Sequence, residues 1–158
     1  MKNIICVLAL ILTVTSNAQV LKNTIGLRLG YDAQEVSFQQ SVFDNNRLEL
    51  NLGVNTFGIN LAGNPCRGVG LNAVYQYVFD VDILEEQFQW YYGFGMAVLS
   101  HGGLFGTGAL GQIGLQYSFE SPWLLSIDYR PGLYYLPGAG NTTRFSWNAP
   151  CIALKYKF

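Results

Sequence analysis

From residue 24 onward the chain alternates apolar with polar or small residues, one for one, in segments separated by polar or glycine-rich stretches. A two-residue period sends successive side chains to opposite faces of a β-strand. Ile25, Leu27, Leu29 and Tyr31 share one face, opposite Gly26, Arg28 and Gly30. Residues 35–43 are less regular, with Val36, Phe38 and Val42 aligned but Gln40 interrupting them. After a polar turn at Asp44-Asn45-Asn46, Leu48, Leu50, Leu52 and Val54 oppose Arg47, Glu49, Asn51 and Asn55. Residues 69–81 carry the longest uninterrupted apolar face, from Val69 through Tyr75 and Tyr77 to Val81. Residues 87–99 set Phe88, Trp90, Tyr92, Phe94, Met96 and Val98 against Gln89, Tyr91 and small residues. Residues 109–119 and 123–135 repeat the pattern, and the last strand ends in Ile152, Leu154, Tyr156 and Phe158 against Cys151, Ala153, Lys155 and Lys157.

These segments predict eight strands of about 9–13 residues, enough to cross a bilayer at a tilt of about 45°. Connections at Asp44–Asn46, 82–86 and 120–122 read as short, and those at 62–68, 100–108 and 136–145 as long, glycine-rich loops. Short turns on one side and longer loops on the other fit a transmembrane barrel whose termini face the periplasm and whose long loops face outward. The hairpin near Asp32–Gln34 is out of keeping with that pattern.

The nature of the two faces decides between a barrel and a secreted sandwich. A soluble eight-stranded sandwich would show alternation too, but its outward face should be polar. Here the apolar faces are near-continuous and include the terminal aromatic. Hydrophobic residues make up 50% of the chain and charged residues only 12%, against about 25% in ordinary soluble domains. With 10 Tyr, 10 Phe, 3 Trp and 18 Gly, the composition suits aromatic girdles and a crowded lumen. The expected fold is all-β: an eight-stranded antiparallel up-and-down transmembrane β-barrel.

Residues 1–18 read as a secretory signal: Lys2, an apolar run from Ile4 to Val14, and small residues at Ser16 and Ala18 with cleavage before Gln19. The run is too short for a bilayer-spanning helix, which takes about 20 residues. Residues 19–158 then form a single barrel domain. Without Lys2, eight basic residues face ten acidic ones, a net charge near −2 that is no footprint for nucleic acid. Cys66 and Cys151 remain, and spacing alone leaves them free or paired.

Few residues suggest chemistry. Arg28, Glu49, Asp128, Arg130, Lys155 and Lys157 fall on inward faces. Barrel closure makes the first and last strands neighbours, so Arg28, Asp128, Arg130 and Lys155 can approach one another. Eight strands leave an interior that side chains just fill, so these charges read first as a structural network and second as a gate for a thin conducting path. His101 beside Ser100 is the only histidine, and adjacent residues point apart, which argues against a lipid-modifying nucleophile and base. One histidine and two separated cysteines make no metal site.

GLRLGY (Gly26–Tyr31), RLELNLG (Arg47–Gly53), QWYYGFG (Gln89–Gly95), IGLQYSF (Ile113–Phe119) and ALKYKF (Ala153–Phe158) resemble the strands of small eight-stranded outer-membrane barrels of Gram-negative bacteria, of the outer-membrane protein A/X kind. The resemblance implies a location in the cell outer membrane and lipid as the surrounding partner. It also implies insertion by the barrel-assembly machinery, with Tyr156 and Phe158 as the assembly signal. It brings no cofactor and no catalytic residue. The function expected is a structural or surface-interaction role for a monomer that is not an enzyme. A narrow porin-like channel is the alternative, and an outer-leaflet lipid-modifying enzyme a lesser one.

Overall fold

A computed structural model of the protein describes residues 23–30, 33–43, 45–59, 65–81, 87–101, 104–137, 142–147 and 150–158. The signal segment 1–18 lies outside them. The strands are β1 (Asn23–Gly30), β2 (Ala33–Phe43), β3 (Asn46–Ile59), β4 (Pro65–Asp80), β5 (Phe88–His101), β6 (Leu104–Ser118), β7 (Trp123–Tyr129), β8 (Gly132–Leu136), β9 (Thr142–Ser146) and β10 (Cys151–Lys157).

Every pairing is antiparallel, and each strand from β1 to β6 pairs with the next in sequence. The β7 and β8 segments are two halves of one wall strand. Both pair with β6 in unbroken register, Ile113 with Tyr129 and Leu110 with Gly132. Between them the Gly111 N–H donates to the Pro131 carbonyl at 3.0 Å. Pro131 has no N–H of its own to offer the next strand, which interrupts the ladder on that side. There β9 and β10 form the eighth wall strand, β9 paired with β8 and β10 with β7. Thr24–Gly30 of β1 then pairs with Lys157–Cys151 of β10, which closes an eight-stranded barrel.

The barrel is inverted relative to a soluble protein. Leu27 and Leu29 are 57% and 58% exposed, while Arg28 between them is 0% exposed. The same inversion runs along the other strands: Leu52, Leu71, Met96, Ile113, Ile127 and Ile152 face outward, and Gln, Asn, Ser and charged side chains are buried inside. This excludes the sandwich. Outward aromatics gather near the end that carries the termini. Phe79 stacks on Trp90 at 4.7 Å and Tyr77 on Tyr92 at 5.3 Å, and Trp123 meets Tyr156 edge-on at 5.4 Å. Cross-strand ring pairs of this kind stabilise a sheet beyond their buried area.

The long loops expected at 62–68, 100–108 and 136–145 are largely strand. The connections are 60–64, 102–103 and 137–141. At 104–108 the reason is visible in the glycines, which signal a loop in the sequence but here occupy inward strand positions. A Cβ on Gly108 would lie 2.4 Å from Cδ1 of Tyr134, so the glycine leaves room for that ring. The asymmetry of loop lengths vanishes with this correction: 81–87, at the terminus-bearing end, separates β4 from β5 by more residues than any connection at the far end. Gln40, which blurred β2, faces outward near the terminus-bearing end, paired with Asn23 and Leu48. Meanwhile β3 to β6 are continuous strands of 14–16 residues, whereas β1 has 8 and the eighth wall strand is built from two pieces, β9 and β10.

Candidate functional site

The lumen has three zones. Val74, Ala97, Leu99, Leu110 and Tyr134 form a buried apolar cluster on the side of β4, β5, β6 and β8. The middle is a charged network. The terminus-bearing end opens into a polar cavity of about 370 Å³.

Strand register builds the network. Arg28 stands directly opposite Glu35 across the first hairpin, and its Nη1 donates to Glu35 Oε2 at 3.0 Å. On its other side Arg28 lies opposite Ala153, whose small side chain leaves the way open to the strand beyond. There Arg28 Nε donates to Asp128 Oδ2 at 3.2 Å, and Nη2 donates to Oδ1. Glu35 also accepts from Arg130 Nη2, at 2.7 and 2.6 Å to its two oxygens, and from Asn72 Nδ2 at 2.7 Å.

A second carboxylate, Glu49, gathers Lys155 Nζ at 3.3 Å, Ser37 Oγ at 2.8 Å, Gln39 Nε2 at 3.2 Å and the amide of Gln76. Asn51 joins the two groups. With its amide turned as its neighbours require, it donates to Glu49 Oε1 at 3.0 Å and accepts from Arg130 Nη1 at 3.1 Å. Such dense pairing is what a low-dielectric interior demands, because a buried charge without a partner is costly. At this level Arg28, Arg130, Lys155, Glu49, Asn51 and Gln76 are each less than 2% exposed, so side chains rather than water fill the cross-section.

Toward the cavity lies Arg47. Its Nε donates to Gln76 Oε1 and its Nη1 to Gln116 Oε1, and its guanidinium carbon sits 4.5 Å from the centre of the Tyr91 ring, a cation–π geometry. Tyr91 is itself buried, with its hydroxyl 3.5 Å from Asp128 Oδ2. Among the described residues Arg47 forms no ion pair.

The inward charges named from the sequence thus occupy separate groups. Arg28 and Asp128 bond directly, Arg130 reaches them through Glu35, and Lys155 belongs with Glu49. Lys157 stands at the mouth, its Nζ donating to the Phe119 carbonyl at 3.3 Å. Tyr156 and Phe158 face outward, and the ends of the barrel are tied by Phe158 N–H to the Asn23 carbonyl at 3.0 Å. Ser100 and His101 end β5 in strand pairing with Phe105 and Leu104 rather than in a loop. The His101 and Cys66 side chains lie outside the described residues, whereas Cys151 is buried in the lumen.

Sequence reasoning missed Glu35, the hub of the first group, and Arg47. The signal for Glu35 was the pairing of the first two strands, whose register sets it opposite Arg28.

No protein-family model matches the chain, and no curated protein sequence matches it. Among solved structures the fold is similar to that of Neisserial surface protein A, with a TM-score of 0.58 and 14% identity over 87% of this chain and 94% of that one. At that identity the likeness is one of fold: a closed, antiparallel, eight-stranded β-barrel.

Proposed function

We propose that the protein is an integral outer-membrane barrel with a structural or surface-interaction role, and that it neither conducts nor catalyses. The observation that carries this reading is the pairing of an apolar outer surface with a lumen filled by a charged network and a buried apolar cluster. An apolar exterior of this extent needs lipid around it, and a closed barrel leaves no unpaired strand edge in that lipid. A buried apolar cluster around Leu99 and Leu110 opposes passage of ions, as hydrophobic constrictions do.

The export signal at 1–18 supports an outer-membrane destination, and the fold it shares with a protein titled as a surface protein accords with it. Lipid is the surrounding partner, and the barrel-assembly machinery the transient one, with the outward Tyr156 and Phe158 of the last strand as the residues it reads. The chain works as a monomer.

Two measurements test the reading. The protein from an outer-membrane fraction should change mobility between unboiled and boiled samples on a denaturing gel. The same folded protein should give no conductance above the lipid background in a planar bilayer. A soluble periplasmic protein without a mobility shift overturns the membrane reading. Discrete conductance that responds to Arg28 or Asp128 substitution replaces the filled lumen with a gated channel.

A further inference from the structure

We propose that the cavity at the terminus-bearing end of the lumen is a binding site for a small free oxyanion, a phosphate or a short carboxylate. Its walls carry Arg47 and Lys157 together with neutral donors such as Ser41, Asn45, Gln89 and Ser118, and among the described residues no Asp or Glu lines it. The charged side chains described on its walls are thus both cationic.

Arg47 supplies the second observation. It is 7% exposed, and while Nε and Nη1 are taken by Gln76 and Gln116, Nη2 is buried without a hydrogen-bond partner among the described residues. The buried lumen charges described are Arg28, Arg47, Arg130 and Lys155 against Glu35, Glu49 and Asp128, an excess of one cation. The ion pairs use the other three cations, so the excess falls on Arg47, at the cavity wall. An unmade hydrogen bond on a buried charged group is costly, and an anion in the cavity supplies it.

The strands separate this space from the outer surface, so the ligand comes from solution through the mouth and not from a lipid headgroup. At about 370 Å³ the cavity has the volume of about a dozen waters, room for an oxyanion with part of its hydration shell. The inference rests on the closed barrel and stands whether or not the chain resides in the outer membrane.

The test titrates the folded protein in detergent micelles with inorganic phosphate, and in parallel with succinate, while sodium chloride holds the ionic strength constant. The readout is the side-chain amide resonances of Gln89 and Gln116. The expected result is a saturable shift with at least one of the two anions. Lys157→Gln should weaken it about tenfold, the worth of one charge-assisted hydrogen bond, and Arg47→Gln should abolish it. A drift that chloride alone reproduces, or no saturation with either anion, overturns the proposal. So does unchanged affinity in Lys157→Gln, which decides alone if Arg47→Gln does not fold.

Discussion

Glu35 faces Arg28 across the first hairpin, and its single carboxylate holds two guanidinium groups, those of Arg28 and Arg130. Glu35→Gln removes the charge and leaves two buried cations to share Asp128. The expected cost is about 3–5 kcal/mol, the usual penalty for removing one partner of a buried pair. Urea unfolding in lipid vesicles measures it. A double-mutant cycle with Arg130→Gln should show coupling above about 1 kcal/mol, because both residues belong to one network. A loss below that figure for Glu35→Gln would mean the group is held by packing rather than by charge.

Two glycines of β6 give opposite expectations. A Cβ on Gly114 would sit 2.6 Å from the Tyr91 phenol carbon and 2.7 Å from the Ile127 carbonyl, whereas one on Gly111 meets nothing closer than Pro131 at 3.9 Å. Gly114→Ala should therefore destabilise the barrel by about 1–3 kcal/mol, as overpacking does, while Gly111→Ala stays within about 0.5 kcal/mol of the parent. Equal effects in the same unfolding assay would refute the placement of Tyr91.

The outer surface is tested by depth. Leu71 lies mid-strand, paired with Leu52 and Val98, and Val42 lies near the terminus-bearing end. In a bilayer Leu71→Lys should cost about 2–4 kcal/mol and Val42→Lys about 0–1 kcal/mol. A soluble protein would gain solubility from both and lose little from either.

Phe158 has a role in assembly that equilibrium stability does not read. Its side chain is exposed and packs into no core, while its backbone closes on Asn23. Phe158→Ser should keep the backbone bonds and the unfolding midpoint, yet slow insertion by the assembly machinery in reconstituted vesicles. Unchanged insertion kinetics would remove Tyr156 and Phe158 from that role.

Which side chains turn inward was legible because a two-residue period leaves only two choices per strand, and Leu27, Arg28 and Leu29 settle it for β1. Where strands end was harder. Gly106 and Gly108 look like loop residues until Leu136 and Tyr134, on a different strand, are seen to need their space. The partners of each charge were harder still, since they depend on register between strands rather than on position within one. Glu35 was hidden by the irregular β2, and Arg28 meets Asp128 diagonally across β10, where Ala153 stands opposite Arg28 and Cys151 opposite Asp128. Alternation specifies a wall; pairing inside it is a property of the closed ring.

That last point bears on how the barrel comes into being. Arg28 on β1 bonds Asp128 on β7, and Lys155 on β10 bonds Glu49 on β3, so both contacts bridge the joint between the first and last strands. In a sheet not yet rolled up these partners sit at opposite margins, each charge still hydrated. Arg28 already has Glu35 beside it in the first hairpin, but Asp128, Arg130, Lys155 and Glu49 gain their ion-pair partners only with the joining of β1 to β10. A half-rolled sheet would carry naked charge toward a medium that rejects it, so the final zipping of the wall is expected to be abrupt, with no resting place on the way.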